Sequence, residues 1–153
     1  MPLKDAKSVA ILFTAVNQKV IQQVSSFVKR LKDQGKDVDV LAYMPLYQET
    51  PFVRFDAMTK RDINILQIPK RKNKGRYMDQ RYDLMINLSM DECLPLEYII
   101  ALSPTTYKVG RYQENKTYCY DLMLNIDDQS NMDDFINQCE HYLNLFSHEA
   151  RAI

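Results

Sequence analysis

Glycine, histidine and cysteine are scarce in this chain: its 153 residues include three glycines, two histidines and three cysteines. The glycines, at positions 35, 75 and 110, are too dispersed to form a glycine-rich phosphate loop. The two histidines, His141 and His148, do not make a metal site, because no cysteine or acidic residue lies at a ligand spacing from them. No serine stands in a nucleophile elbow. The sequence therefore predicts no catalytic residue, no metal site and no cofactor.

The chain also lacks a disulfide framework and any long apolar run. Its cysteines, Cys93, Cys119 and Cys139, are odd in number and far apart in sequence, which favours a reducing compartment. The apolar run at residues 9–13 is too short for a signal peptide, and no run approaches the length needed to cross a membrane. We therefore expect a soluble, cytoplasmic protein with no membrane partner.

Net charge is zero, but the charged side chains are unevenly distributed along the chain. Residues 60–81 carry eight basic and two acidic side chains, a net charge of +6. Residues 113–153 carry eight acidic and two basic side chains, a net charge of −6. Opposite charges of this size attract each other, either within one chain or between two copies. A homo-oligomer is therefore one prediction, and pairing within a single chain is the alternative.

The hydrophobic pattern predicts an α/β protein. Apolar residues make up 46% and charged residues 26% of the chain, as in ordinary globular proteins, and the length suits one domain over residues 1–153. Residues 8–14 and 37–43 have the pattern of strands, and the first is continuously apolar, as in a parallel sheet. Between them, residues 17–34 repeat apolar side chains at helical spacing, with Asn17 as the start cap and Gly35 at the end. This is a β-α-β crossover unit.

The later segments continue the alternation. We predict strands at residues 62–68, 82–88, 106–109 and 118–126, a helix from about residue 94 that Pro104 ends, and a closing helix at residues 131–147. Residues 52–60 suit either one helical turn or an extended stretch, and residues 70–80 are predicted as a surface loop. We therefore expect a three-layer, Rossmann-like open sheet, mostly parallel, with five to six strands and helices on both faces.

One seven-residue pattern occurs twice. The sequence YDLMINL at residues 82–88 recurs as YDLMLNI at residues 120–126, and a polar loop and a helix follow each copy. Two equivalent strands of one sheet would explain this similarity. Chance similarity between two buried strands explains it almost as well, so we do not infer a duplication.

In open α/β sheets, ligands bind beyond the carboxyl ends of the strands, so the residues that follow the predicted strands form the candidate site. Ser89 and Asp91 also suit the cap of the helix that begins near residue 94, and we favour this structural role for them. Arg111 reaches the same edge, where it could bind a ligand or pair with an acid. The candidate ligand-binding residues are Thr14, Asn17, Tyr43, Asn87, Ser89, Asp91 and Arg111.

A second candidate site is the basic part of the loop at residues 70–80. Clustered basic side chains bind nucleic-acid backbones and other polyanions. A solvated loop balanced by the acidic region is the alternative, and we favour it because zero net charge does not suit a dedicated nucleic-acid binder. The candidate polyanion-binding residues are Lys70, Arg71, Lys72, Lys74 and Arg76.

The segments YDLMINLS at residues 82–89, PLEYI at 95–99, ALS at 101–103 and KVGR at 108–111 carry a resemblance to known families. The chain resembles a bacterial family of small single-domain proteins of unknown function, seen mainly in the Bacteroidetes. More distantly, it is similar to the N-terminal half of heptosyltransferase-type glycosyltransferases. That second resemblance implies a Rossmann-like fold. In those enzymes a C-terminal domain binds most of the nucleotide-sugar, and this chain is too short to contain one.

Three functional hypotheses follow, and whether the protein is an enzyme stays open among them. The first is a small-ligand-binding or protein-interaction module without catalysis of its own, which the missing catalytic motifs favour. The second is a stand-alone or degenerate glycosyltransferase-like domain that binds a nucleotide-sugar. The third is binding of a polyanion or nucleic acid through residues 70–76.

Overall fold

The first β-α-β unit forms as the sequence predicts. The computed structural model describes residues 3–44, 55–63, 75–116, 118–127 and 129–152, without the side chains of residues 116 and 146–152. In it, β1 spans Ser8–Thr14, α1 spans Gln18–Asp33 and β2 spans Asp37–Tyr43. Asn17 caps α1, since its side-chain oxygen accepts a hydrogen bond from the Val20 backbone at 2.9 Å. Gly35 follows the helix with a φ of +84°, a left-handed conformation that strains other residues.

The remaining elements alternate in the same way. Their bounds are β3 at Asp56–Met58, α2 at Gly75–Asp79, β4 at Leu84–Asn87, α3 at Leu94–Leu102, β5 at Tyr107–Arg111, β6 at Leu122–Leu124 and α4 at Met132–Ala152. Pro95 lies in the first turn of α3, where a missing N–H costs nothing. Asp133 and Asp134 lie in the first turn of α4, where the helix dipole favours negative charge.

All six strands are parallel and lie in the order β3-β2-β1-β4-β5-β6. The apolar faces of α1 and α4 cover one side of the sheet, where they share a core with Val9, Ile11 and Phe13 of β1. α2 and α3 cover the other side and pack with Ala10 and Leu12. The protein is therefore a three-layer, Rossmann-like α/β fold. The chain reverses its direction of winding between β1 and β4, the position at which such sheets bind ligands.

Two sequence-based predictions were wrong in detail, and a third lies mostly outside the described residues. Of the strand predicted at residues 62–68, Asp62 belongs to a short 3-10 helix and residues 64–68 lie outside the described residues. Residues 52–60, which suited a helical turn or an extended stretch, contain β3 at Asp56–Met58. Part of the predicted loop at residues 70–80 is helical, since α2 begins at Gly75. The sixth strand is only three residues long. Strands of three residues at the two edges of a sheet carry too few side chains for periodicity to locate them.

α2 is attached to β2 and β3 by a partly buried polar cluster. The hydroxyl of Tyr77 donates to Asp56 at 2.6 Å, and the hydroxyl of Tyr82 donates to Asp39 at 2.7 Å. Arg76 lies 3.4 Å from Asp39 and 3.8 Å from Asp56. Burial and these carboxylates raise the pKa of both tyrosines, so the two hydroxyls remain protonated donors. The cluster fixes the helix that follows the basic segment.

Candidate functional site

A cavity of about 430 Å³ lies at the carboxyl end of the sheet, beside the point where the winding reverses. Its walls come from five elements and the loops between them: the ends of β1 and β2, the starts of α1, α3 and α4, and the loop between β4 and α3. Its volume falls in the range of sites that hold small molecules. The lining residues are Thr14, Val16, Val20, Tyr43, Met90, Asp91, Glu92, Cys93, Leu94, Pro95 and Met132.

A chain of hydrogen bonds holds the polar end of β1 and β4 in place behind the cavity. The hydroxyls of Thr14 and Ser89 lie 3.1 Å apart, joining the ends of the two strands. Asn87 accepts a hydrogen bond from the Ser89 backbone at 3.1 Å and donates to the hydroxyl of Tyr120 at 2.9 Å. Asn87 and Ser89 are both buried. The hydrogen-bonding groups of Asn87 and Ser89 are therefore engaged inside the protein. Among the residues of this hydrogen-bond series, Thr14 lines the cavity.

Arg111 positions two of the loops near the cavity. Its guanidinium donates to the backbone carbonyl of Met90, in the loop between β4 and α3. It also donates to the carbonyl of Ile126 at 3.0 Å, in the loop that leads to α4. Met90, in the first loop, and Met132, at the start of α4, both line the cavity. Arg111 thus connects the two loops.

Two backbone donors in the loop before α1 are already engaged. The N–H of Ala15 donates to Tyr43 at 2.8 Å, and the N–H of Val16 donates to Thr14 at 3.0 Å. The side chain of Asn17 already accepts from Val20. In dinucleotide-binding proteins the corresponding loop is rich in glycine and gives its N–H groups to the pyrophosphate. Here the same position presents the half-exposed side chain of Val16.

The cap of α3 differs from the prediction. Ser89 and Asp91 do not cap it, because the cap position belongs to Cys93 and carries no side-chain capping bond. Ser89 contacts Thr14 instead, and Asp91 lies exposed at the cavity. The sequence pattern was misleading because the loop after β4 extends to Cys93, two residues beyond Asp91 and four beyond Ser89. Pro95 has no N–H, so this helix start also offers an incomplete set of donors.

Two titratable side chains of the cavity stay neutral near pH 7. Burial raises the pKa of the Cys93 thiol, and burial followed by the neighbouring Cys93 raises the pKa of the Tyr43 hydroxyl. A thiol is a far weaker nucleophile than a thiolate. Cys93 and Tyr43 therefore present neutral polar groups, and negative charge enters the cavity only from Asp91 and Glu92 among its described lining residues.

The structure brings three of the seven candidate ligand-binding residues, Thr14, Tyr43 and Asp91, to the cavity. Asn17, Asn87, Ser89 and Arg111 lie behind or beside it in the hydrogen bonds described above. Sequence reasoning missed the apolar wall, because valines, a leucine and methionines near strand ends resemble ordinary core residues. The missed lining residues are Val16, Val20, Met90, Glu92, Cys93, Leu94, Pro95 and Met132.

The second candidate site lies mostly beyond what the structure describes. Lys70, Arg71, Lys72 and Lys74 are outside the described residues, and Arg76 is close to Asp39 and Asp56. The acidic region contacts α1 rather than α2: Arg30 lies 2.7 Å from Glu140, and Gln23 donates to Asp133 at 3.0 Å. α2 and α4 cover opposite faces of the sheet. The described charges of the two regions are therefore paired with different elements.

Within the described ranges, no three His, Cys, Asp or Glu side chains come close enough together to hold a metal ion. In the same part of the chain, no helix has both the length and the apolar character of a membrane span.

The fold and the cavity define a Rossmann-like α/β protein with an unassigned site at the winding reversal. Residues 2–146 match the model of a family of unknown function, DUF6913, and the chain belongs to that family. The match covers almost the whole chain. No curated protein and no solved structure matches it.

Proposed function

We propose that this protein is a small-molecule-binding domain that holds its ligand at the carboxyl end of β1 and β4. The observation that carries the proposal is the cavity of about 430 Å³ at the winding reversal, lined from several elements by apolar side chains around a few polar groups. Binding sites of open α/β sheets occur at this position and have this composition.

The same lining supports a role without catalysis of its own. The described residues of the cavity contribute a neutral thiol, two hydroxyls and two exposed carboxylates as their polar side chains. A nucleophile with an adjacent base, the usual starting point of covalent catalysis, is not among them. All three cysteines are free and buried, which supports the predicted cytoplasmic setting.

Methyl NMR of the valines and methionines tests ligand binding directly. A fragment panel of neutral, anionic and cationic compounds, including a nucleotide and a nucleotide-sugar, is titrated into the full chain. We expect shift changes concentrated at Val16, Val20, Met90 and Met132, which line the cavity.

A matched pair of variants provides the control. Val16→Trp places a large ring at the cavity, whereas Leu145→Trp makes the same kind of change on α4, far from its first residue, Met132; Val16 is 50% and Leu145 39% exposed. Binding should be lost in the first variant and kept in the second. The proposal would be contradicted if the cavity methyls showed no shift change at millimolar fragment concentration, or if both variants showed equal shift changes. Selective nucleotide-sugar binding would instead favour the glycosyltransferase-like alternative.

A second candidate function, self-association, is supported by the outer face of α3. Leu94, Tyr98 and Leu102 recur every four residues and are 41%, 38% and 49% exposed, so they form one uncharged stripe along the helix. A second copy of the chain would bury the stripe against itself about a two-fold axis. Analytical ultracentrifugation should show a dimer that Tyr98→Glu dissociates and that high salt preserves. A dimer that salt alone dissociates would point to the charged regions instead.

Polyanion binding through residues 70–76 is a third proposal, carried by the sequence alone. RNA titration at low and high salt tests it, since binding through Lys and Arg weakens steeply with salt. Absent or salt-insensitive binding would contradict it.

A further inference from the structure

We infer that the cavity at the winding reversal selects an apolar ligand that carries a protonated amine, and that it rejects anions. The inference rests on the proposed function, because it names the chemistry of the ligand for that same cavity. Its basis is the combination of an apolar wall, an acidic rim and the lack of a basic side chain among the described lining residues.

The apolar wall determines the body of the ligand. Val16, Val20, Leu94 and Pro95 present aliphatic surface, and Met90 and Met132 add unbranched, polarisable side chains that adapt to different shapes. Tyr43 adds an aromatic ring. A compact aromatic or aliphatic group therefore fits this wall better than a sugar or a phosphate, whose hydroxyls and oxygens need many hydrogen-bonding partners.

The described lining residues include no lysine, arginine or histidine, so an anion would find no positive side chain in the cavity. Two nearby backbone N–H groups, those of Ala15 and Val16, donate to backbone carbonyls, and Pro95 in the first turn of α3 has no N–H. Arg111 donates to the backbone carbonyls of Met90 and Ile126. An anionic ligand would thus lose hydration without gaining a charged partner from the described lining.

The acceptors favour a cation. Asp91 and Glu92 are consecutive exposed residues of the loop before α3, and both line the cavity. The hydroxyls of Thr14 and Tyr43 are further polar partners within the same cavity. A protonated amine at the rim would interact favourably with the two carboxylates, while its apolar body lies against the methionines and valines. The charge complementarity points to an amine rather than a neutral or acidic head group.

Three indole compounds that differ only in their head group test this inference. Tryptamine, tryptophol and indolepropionate present an amine, a hydroxyl and a carboxylate on the same ring. We expect the dissociation constant of tryptamine, measured from the Val16 and Met132 methyl shifts, to be about threefold lower than that of tryptophol, since exposed ion pairs are weak. Indolepropionate should bind most weakly. The preference for tryptamine should shrink as salt is raised.

Paired charge-removal variants identify the rim as the cause. The double variant Asp91→Asn and Glu92→Gln should equalise tryptamine and tryptophol. The control double variant Asp33→Asn and Glu114→Gln removes the same net charge from two exposed sites outside the cavity lining and should keep the preference.

The outcomes separate this inference from the proposed function. Equal binding of the three compounds, or tightest binding of indolepropionate, would overturn the amine preference and leave the cavity as a binding site. A preference lost equally in both double variants would also overturn it, because overall charge rather than the rim would be responsible. If no indole compound moves the cavity methyls, the amine inference fails, and the fragment panel then decides the proposed function independently.

Discussion

The two copies of the Tyr-Asp pattern lie in one sheet. Their aspartates play the same structural role, whereas their tyrosines play different ones. In the first copy, a carboxyl oxygen of Asp83 accepts hydrogen bonds from the Lys7 and Ser8 backbone at 2.8 and 3.2 Å, at the start of β1. In the second, a carboxyl oxygen of Asp121 accepts from the Lys108 backbone at 2.8 Å, near the start of β5. Each aspartate thus fixes the register of its strand against the neighbouring strand.

The tyrosines of the two copies differ. Tyr82 stacks on Tyr77 and donates to Asp39, so it supports α2. Tyr120 accepts a hydrogen bond from Asn87 and so supports the end of β4. β4 is central and fully buried, whereas β6 is an edge strand with one buried residue of three. Similar sequences therefore receive different partners, because the position in the sheet decides what lies opposite each side chain.

The largest expected effect comes from Gly110→Ala, which disturbs Tyr120 of the second copy. A Cβ at Gly110 would overlap the ring of Tyr120, so the ring, whose hydroxyl bonds to Asn87, would have to shift. Overpacking of this kind costs about 1 to 3 kcal/mol of the free energy of unfolding. Urea denaturation measures the loss. The control is Gly75→Ala: among the described residues its Cβ would meet the Asp79 side chain alone, at an ordinary 3.5 Å, and the change should be tolerated. Equal losses in both variants would contradict the close packing.

Tyr120→Phe should cost about 2 kcal/mol, because it leaves the side-chain amide of buried Asn87 without its acceptor. Tyr82→Phe should cost about 1 kcal/mol, since Asp39 keeps Arg76 as a partner. Urea denaturation of the two variants gives the comparison. Because Asn87 also holds Ser89, Tyr120→Phe should weaken binding of any cavity ligand, and Tyr82→Phe should leave it unchanged. The reverse order of ligand affinities would refute this link.

The smallest expected effect concerns the aspartates. The hydrogen bonds from Lys7 and Ser8 lower the pKa of Asp83 below its ordinary value of 3.8. A depressed folded pKa contributes stability that is present above pH 3.8 and lost as the pH falls through the folded pKa. Asp83→Asn should therefore cost about 1 kcal/mol at pH 7, and Asp121→Asn, with one bond, about 0.5 kcal/mol.

Urea denaturation from neutral to acidic pH checks the aspartate prediction. The difference between the wild type and Asp83→Asn should shrink as the pH falls below 3.8, the ordinary pKa of the group. A difference that persists unchanged into strong acid would show that the charge of Asp83 is not its cause.

Short-range signals located the early part of the fold accurately. β1, α1 and β2 follow from a continuous apolar run, a helical stripe, the Asn17 cap and Gly35, all of which act within a few residues. The segment of β3 suited either a helical turn or an extended stretch, because a three-residue edge strand is held mainly by its pairing with Leu41, Ala42 and Tyr43 of β2. The cap of α3 was misassigned because Ser89 bonds to Thr14, a residue 75 positions earlier.

The sequence likewise predicted some residues of the candidate site and missed others. The strand ends were predictable, so Thr14, Tyr43 and Asp91 were expected at the carboxyl edge, where they line the cavity. Met132 was not expected there, because only the order of the strands brings the start of α4 beside the end of β1.

The sequence by itself determined the elements, the parallel α/β class and the edge at which strands end, because periodicity, caps and turns are local properties. Only the tertiary structure decided that β1 and β4 are neighbours and that Asn87 belongs to Tyr120. It also decided that Val16, Val20, Met90 and Met132 surround one cavity. These facts depend on contacts between residues that are distant in the chain, and local sequence patterns do not predict such contacts.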